Sequence, residues 1–308
     1  MKKLFTFLAA TFLFVTLHAK IVYLNNELEE PNISENLYTN WSDAYAAVSA
    51  GDTIYVAGSI FNYGNIELDK HLIIIGPGYF LDENFQTQVT KKIAGFEKIT
   101  ISEGANGSKL IGVSQENLNR DILIEAEVDE ITVSSCLLTD VYIENSNGEV
   151  LSNITFEKCF IYSSGITHNV NRDGIANNLV LKNNIIDGGV NLPDGSSGII
   201  SNNLLLGDRL NLSSSSAFEI KNNIYLNEDE NDFLIQPLPD AAVSNNISLT
   251  GAFGNDNDNF SAPQSTLFVS DENASTDGQY MLAEDSPAKG EGTNGTDIGP
   301  FGGPDPYR

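Results

Sequence analysis

The sequence predicts an all-β fold, a single-stranded right-handed parallel β-helix (a solenoid) with a short N-terminal capping helix. Three observations support this prediction: short β-rich runs separated by Gly, Asn and Asp, a single convincing helical pattern, and a short motif that recurs along the chain. The motif holds two consecutive Asn between apolar residues. It occurs at residues 181–185, 200–204, 220–224 and 243–247. Two earlier segments, 133–137 and 156–160, share the frame with Cys at the second Asn position. Six copies at spacings of 19–25 residues are typical of a solenoid.

Two other kinds of solenoid fit this repeat less well. A leucine-rich repeat has a similar period, but it requires a Leu-x-x-Leu-x-Leu frame that these segments lack, and helical repeats require longer units. In a parallel β-helix each coil carries two or three short strands, and successive coils stack in register about 4.8 Å apart. The parallel β-helix is therefore the predicted class.

Four segments are predicted along the chain. They are a signal peptide at 1–19, an N-terminal strand and capping helix at 20–50, β-helix coils at 51–250, and an irregular last coil with a C-terminal tail at 251–308. The capping helix is placed at 40–50, where Asn40 can cap its N-terminus and Gly51 can take the left-handed position after its end. The tail is expected to lie over the C-terminal end of the coils, because an open coil would expose sheet edges.

The signal peptide prediction rests on two lysines, an uncharged apolar stretch at 4–17 and the small residue Ala19. No Cys follows it, which argues against a lipoprotein anchor. We therefore expect a secreted, periplasmic or cell-surface protein. No later run of 18 apolar residues occurs, so no membrane span is expected in the mature chain.

Asn makes up 35 of the 308 residues, and the repeat explains this excess. A turn within a coil often requires a left-handed residue, and Asn tolerates a positive φ. An inward-pointing Asn side chain can also hydrogen-bond to the same side chain in the next coil, which satisfies polar groups that are costly to bury. We therefore expect Asn184, Asn203, Asn223 and Asn246 to be architectural and to form an internal asparagine ladder.

The two cysteines, Cys136 and Cys159, occupy the same motif position in consecutive repeats. Neighbouring coils bring Cα atoms within disulfide range, and free Cys also suits a buried position. Because in-register parallel stacking is poor geometry for a disulfide, two buried thiols are the favoured prediction.

The charge of the chain narrows the classes of partner. Its 42 acidic residues against 16 basic ones give a formal net charge of −26. So acidic a surface repels phosphate backbones, which makes nucleic-acid binding unexpected. Such a surface could bind divalent cations. We also expect the protein to be a monomer.

Three segments carry a family resemblance. They are residues 41–58 (WSDAYAAVSAGDTIYVAG), residues 72–78 (LIIIGPG), and the closing residues 286–290 (SPAKG) with 296–303 (TDIGPFGG). The first two resemble the N-terminal cap and first coils of pectin-lyase-like right-handed β-helix proteins, and the third resembles their closing coil. With the repeats, the resemblance covers roughly residues 41–303 and implies the fold. It implies no activity, because the family includes lyases, hydrolases, adhesins and proteins without known chemistry.

Acidic residues in the turns after the motif are the first candidates for a site. Stacked coils would place Asp187, Asp208 and Glu228 along one edge, with neighbouring carboxylates about 5 Å apart and second neighbours about 10 Å apart. Those spacings suit the paired carboxylates of glycosidases and, with Asp229, a Ca²⁺ site. The alternative is that they are ordinary solvated acids.

The resemblance suggests a second set of candidates. Polysaccharide lyases of this fold class abstract a proton with Arg or Lys while Ca²⁺ neutralises the substrate carboxylate. Arg172 and Arg209 each lie beside an acid in the repeated part of the chain. Such a base requires an acidic partner to orient it, and surface ion pairs explain the same residues.

Two further patterns are weaker. The run Gly254–Asn259 alternates oxygen donors as Ca²⁺ loops do, but it lacks the Gly and Glu of an EF-hand and is predicted to be a solvated loop. Aromatic residues near early turns, Tyr63, Tyr79, Phe80 and Phe85, could bind sugar rings or pack in the core.

The sequence supports two hypotheses of function. The first is a non-catalytic exported module, structural or adhesive, that binds a polysaccharide or cell-surface glycan. The second is a polysaccharide lyase or glycoside hydrolase. Active clefts in solenoids are usually walled by long insertions on one face, and the repeats here leave little room for them. The binding module is therefore favoured.

Overall fold

The chain forms a parallel β-helix with very little helix, which confirms the predicted fold class. The computed structural model describes residues 19–83, 90–115, 121–125, 127–143, 150–162, 175–192, 195–207, 210–212, 217–227, 233–235, 242–269 and 276–307. The predicted signal peptide thus lies almost wholly outside the described residues.

The strands are short, as expected of a coiled chain. In chain order they are β1 Ile21–Leu24, β2 Leu37–Tyr38, β3 Asp52–Val56, β4 Asn65–Leu68, β5 Leu72–Ile75, β6 Gly95–Phe96, β7 Lys98–Ile101, β8 Lys109–Ile111, β9 Ser114–Gln115, β10 Asp121–Ile124, β11 Thr132–Ser134, β12 Leu137–Leu138, β13 Asp140–Ile143, β14 Leu151–Ser152, β15 Thr155–Glu157, β16 Phe160–Tyr162, β17 Ala176–Asn177, β18 Leu179–Lys182, β19 Ile185–Asp187, β20 Val190–Leu192, β21 Ser197–Ser201, β22 Leu204–Leu205, β23 Leu210–Leu212, β24 Ala217–Lys221, β25 Ile224–Tyr225, β26 Phe233–Ile235, β27 Val243–Ser244, β28 Ile247–Ser248 and β29 Phe260–Ser261. The helices are α1 Trp41–Ala46 and α2 Gln264–Leu267, with 3₁₀ turns at Ile33–Glu35, Gly278–Tyr280 and Thr293–Gly295.

Successive strands of the chain join different sheets, which form the faces of the solenoid. Sheet A has the order β2-β1-β3-β5-β8-β11-β15-β18-β21-β24-β27, and sheet C has the order β29-β28-β25-β22-β19-β16-β12-β9-β6. Sheet B consists of two pieces, β13-β10-β7-β4 and β20-β23-β26, and β14 pairs with β17. β1 pairs with β3 in parallel register and β29 pairs with β28. The sheets therefore begin before residue 51 and continue past residue 250, the bounds predicted for the coils.

The core is built from columns of apolar side chains that stack in register. On sheet A one column joins neighbouring coils and is fully buried over most of its length. It runs through Val22, Ile54, Ile74, Leu110, Val133, Phe156, Leu181, Ile200 and Ile220. Each such side chain contributes roughly 1.5–3 kcal/mol through burial, so the alternation within each short strand holds the coils together.

Helix α1 caps the N-terminal end of this core, but it is shorter than the predicted 40–50. Asn40 caps it as expected, because its side-chain oxygen accepts from the Asp43 backbone N–H at 2.9 Å. Beyond the helix, the Asp52 carboxylate accepts from the Ser49 N–H at 2.8 Å and from the Lys20 N–H at 2.6 Å. These bonds offer the backbone an alternative to further helical turns.

The predicted asparagine ladder is present and longer than expected. Each inward Asn side chain donates to the side-chain oxygen of the next at 3.0 Å, and the same oxygen accepts a backbone N–H at 2.9 Å. The ladder consists of Asn184, Asn203, Asn223, Asn246 and Asn259. Every member also donates to a backbone carbonyl, so the buried amides are satisfied.

The left-handed conformation belongs to the first Asn of each pair rather than to the ladder residue. Asn183, Asn202, Asn222 and Asn245 have φ values of 53° to 56°. In the two coils that carry Cys136 and Cys159, Ser135 and Lys158 take the same conformation. We expected one Asn of each pair to make the turn and form the ladder. Instead, the first Asn makes the turn and the second forms the ladder.

Cys136 and Cys159 are free, fully buried thiols, in agreement with the favoured prediction. The Cys159 N–H donates to the Asn184 side-chain oxygen at 2.9 Å, so the cysteines lead into the ladder. Burial raises the pKa of the Cys159 thiol well above its usual range. The pair is therefore a packing element of the core.

Candidate functional site

Of the predicted acidic and basic candidates, Asp187 alone lies within the described residues. It is exposed at the end of β19, pairs in register with Tyr162, and raises the pKa of Tyr280 through its charge, after the larger effect of burial. Asp208, Arg209, Arg172, Glu228 and Asp229 lie outside the described residues. Among the described residues no group of three His, Cys, Asp or Glu side chains is placed to hold a metal ion.

The run Gly254–Asn259 has an architectural use. Asn259 is the last rung of the ladder, and its amide nitrogen donates to the Asp256 carbonyl at 2.7 Å. Asn257 and Asp258 take positive φ values of 56° and 60° to make the turn. The polar residues of this run therefore make the turn before β29 and end the ladder.

Three of the four predicted aromatic candidates are packing residues. Tyr63 lies against Phe96, and burial raises its pKa to about 12. Phe80 packs edge-on against Phe160, and the Tyr79 hydroxyl donates to the Lys158 carbonyl at 2.9 Å. Phe85 lies outside the described residues.

The outer face of sheet C in the C-terminal coils is covered by the chain itself. Its outward residues, which follow each ladder position, form a second apolar cluster with residues of the C-terminal segment. The strand side chains are Phe160, Ile185, Leu204, Ile224 and Ile247, and the covering ones include Leu267, Phe268, Ala288, Ile298 and Tyr307. This surface is consequently unavailable to a ligand.

The first Asn of each pair fastens this cover. The contacts follow one another along the chain: Asn245 donates to the Glu291 carbonyl (3.0 Å), Asn222 accepts from the Thr293 N–H (2.9 Å), Asn202 donates to the Gly299 carbonyl (3.4 Å) and Asn183 donates to the Pro300 carbonyl (2.8 Å). An ion pair between Lys158 and Asp305 at 2.5 Å follows. The tail therefore runs back along the flank of the solenoid, instead of lying only over its C-terminal end as predicted.

The candidate binding site is an open groove of about 840 Å³ on the outer face of sheet A, at the N-terminal end of the solenoid. Tyr23 of β1 and Tyr55 of β3 lie opposite each other in register, with ring centroids 5.8 Å apart and planes 20° apart. Their exposed fractions are 48% and 40%, high for large rings in a sheet. Ile75 continues the row, and Leu37 lies on the other side of Tyr23.

The rim of the groove is polar. Glu27 accepts from the Ile60 N–H at 2.8 Å, and Lys92 pairs with both of its carboxylate oxygens at 2.7 and 2.8 Å. The hydrogen bond from Lys92, then that from Ile60, lowers the pKa of Glu27 below its ordinary value. Glu35, an exposed residue, adds a further carboxylate to the groove lining. The site thus combines aromatic rings with fixed charges.

Gly58 allows the Lys92 segment to approach the groove. A Cβ on Gly58 would lie 2.0 Å from the Lys92 carbonyl oxygen, and the neighbouring Ser59 N–H donates to the Ile93 carbonyl at 2.9 Å. A side chain at this position would therefore displace the wall that carries Lys92.

Sequence reasoning missed the tyrosine pair because it left β1 outside the coils. Both tyrosines stand at outward positions of alternating strands, Ile21–Leu24 and Asp52–Val56. That alternation is visible in the sequence, but the register that joins the two strands is not.

Comparison with known proteins gives no family model that matches the chain and no curated protein that matches it. Within the described part of the chain, no helix is long and apolar enough to cross a membrane.

Proposed function

We propose that the chain is an exported β-helix protein of the pectin-lyase-like kind that binds a polysaccharide or cell-surface glycan in the Tyr23/Tyr55 groove. The observation that carries this proposal is the pair of exposed, stacked tyrosines beside a polar rim. Tyrosine offers an apolar ring and a polar hydroxyl, which suits the mixed surface of a sugar. The groove volume lies within the range of ligand sites, about 300–1,000 Å³.

The ionisation of Glu27 and its ion pair with Lys92 favour binding without reaction. A general acid at neutral pH requires a raised pKa, whereas the pKa of Glu27 is lowered. Lys92 is engaged by Glu27 and so is poorly suited to act as a free base. The leader pattern and the resemblance of residues 41–58 to β-helix caps support export and family.

The test is a glycan-binding panel with matched variants. Tyr23→Ala and Tyr55→Ala should each weaken binding by about tenfold or more, the effect of losing a central aromatic contact. Tyr142→Ala is the control, since Tyr142 lies on sheet B outside the groove. Equal binding by all three variants would overturn the proposal.

The same incubations test the catalytic alternative. Absorbing unsaturated products would indicate a lyase, and new reducing ends would indicate a hydrolase. Either product, lost in the Tyr23→Ala variant, would replace the binding function with an enzymatic one at this groove.

A further inference from the structure

We infer that the groove selects uncharged glycan chains and rejects chains that carry uronate carboxylates. This selectivity rests on the glycan-binding function proposed above, because it concerns the same groove. It follows from the charges placed around the two tyrosines.

The groove offers no free cation to a ligand carboxylate. Among the described residues that line it, Lys92 is the one basic side chain, and both oxygens of Glu27 already hold its ammonium. Glu27 neutralises the charge of this ammonium and takes two of its three N–H donors. The contact that remains for a uronate is a partly exposed one beside a second carboxylate, and such contacts contribute little to affinity.

The surrounding charge opposes an anionic chain further. Glu35 adds an exposed carboxylate to the groove wall, and the whole chain carries a formal charge of −26. Repulsion between exposed like charges extends over a Debye length, about 8 Å at physiological salt and about 30 Å at about 0.01 M. A polyanionic chain is therefore repelled before it reaches the tyrosines, most strongly at low salt.

An uncharged chain meets none of this repulsion. Its hydroxyl groups can donate to the exposed Glu35 carboxylate, a charge-assisted hydrogen bond. Its apolar ring faces can contact Tyr23, Tyr55 and Ile75, which form one row across three strands. The same groups that repel a uronate thus bind a neutral sugar.

The experiment compares charged and uncharged forms of the same backbone. Polygalacturonate is compared with its methyl ester, and carboxymethylated glucan with unmodified glucan, at about 0.01 M and about 0.15 M salt. We expect at least one uncharged form to bind, its charged form to bind about tenfold or more weakly, and the difference to grow at low salt. A charged form that binds as tightly as its uncharged form, or more tightly at low salt, would overturn the selectivity and leave the glycan-binding function standing.

Charge-reversal variants separate the groove from the global field. Glu35→Lys should raise affinity for the charged form by roughly tenfold, whereas Glu103→Lys, an exposed acid outside the groove lining, changes the net charge equally and should have little effect. Equal gains in both variants would show that the overall charge alone produces the selectivity, and would contradict the inference that the groove selects. Binding of none of the four polymers would overturn the proposed function and the selectivity together.

Discussion

The outer face of sheet C in the C-terminal coils is covered, whereas the outer face of sheet A at the N-terminal end is exposed. From Phe160 onward, the outer face of sheet C is buried under the C-terminal segment, and the turns carry the asparagine ladder. At the N-terminal end, Tyr23 and Tyr55 stay exposed on sheet A. There the core also contains Gln115, whose amide is buried without a hydrogen-bond partner among the described residues. One repeat thus builds C-terminal coils covered on sheet C by their own tail and N-terminal coils with exposed rings on sheet A.

The largest expected effect comes from breaking the seal. Ile298→Asp places a charge in the fully buried contact between the tail and sheet C, and we expect a loss of about 3–5 kcal/mol in the free energy of unfolding. Met281→Asp, on the same segment but 52% exposed, should cost less than about 1 kcal/mol. Chemical unfolding measures both, and similar losses would show that the tail does not cover the face in solution.

The next effect concerns the ladder. Asn223→Ala leaves the Asn203 N–H and amide without their acceptor, and we expect it to cost about 2–4 kcal/mol. Asn191→Ala is the matched control, because within the described part of the chain its side chain makes one contact, a partly buried hydrogen bond accepted from Asn211 on sheet B. It should cost less than about 1 kcal/mol by the same unfolding measurement. A control as costly as the ladder variant would refute the special role of the inward amides.

A substitution in the coils before Phe160 should stabilise the protein, in contrast to the two substitutions above. Gln115→Leu replaces a buried amide that has no partner in the described part of the chain with an apolar side chain of similar size, and we expect a gain of about 1–2 kcal/mol. Thermal unfolding is the measurement, and Gln279→Leu, at an exposed position, is the control. A less stable Gln115→Leu protein would mean that this amide has a partner in solution.

The smallest effect is a titration at the groove. Because the pKa of Glu27 lies below 4.5, its ionised form favours the folded state above that pH, and this contribution is lost as the pH falls through the lowered pKa. Lys92→Met should return the pKa of Glu27 toward 4.5, whereas Lys221→Met, beside Glu219, should leave it unchanged. NMR titration of the carboxyl carbon distinguishes these results; an unchanged pKa in Lys92→Met would contradict the ion pair.

Much of the fold is readable in the sequence because each coil repeats local chemistry. The Asn pairs encode both the left-handed turn and the inward amide, and their spacing predicts the stacking. The longer ladder was missed because Asn259 follows Asn246 after 13 residues, outside the repeat period. The end of α1 was predicted too late because the hydrogen bonds from the Ser49 and Lys20 N–H groups to the Asp52 carboxylate are not part of local helix propensity.

The candidate site was harder to predict because it depends on pairing between distant segments. Tyr23 and Tyr55 meet only once β1 and β3 are in register. The sequence contains a weaker indication that the outer face of sheet C is covered. Ile185 and Ile186 are both apolar, as are Leu204 and Leu205, so apolar and polar residues do not alternate in these strands. Consecutive apolar residues indicate a strand buried on both faces, but they do not identify the segment that buries the second face.

The outward Asn contacts also determine how many coils the molecule can contain. A further coil inserted between Asn203 and Asn223 would preserve the strand pairs and the ladder, because both repeat. It would, however, increase the separation of Asn202 and Asn222 by the rise of one coil, about 4.8 Å, so that Gly299 and Thr293 could no longer reach both of them. The contacts of the tail therefore fit only the present number of coils between Asn202 and Asn222, although the strand pairs and the ladder would allow more.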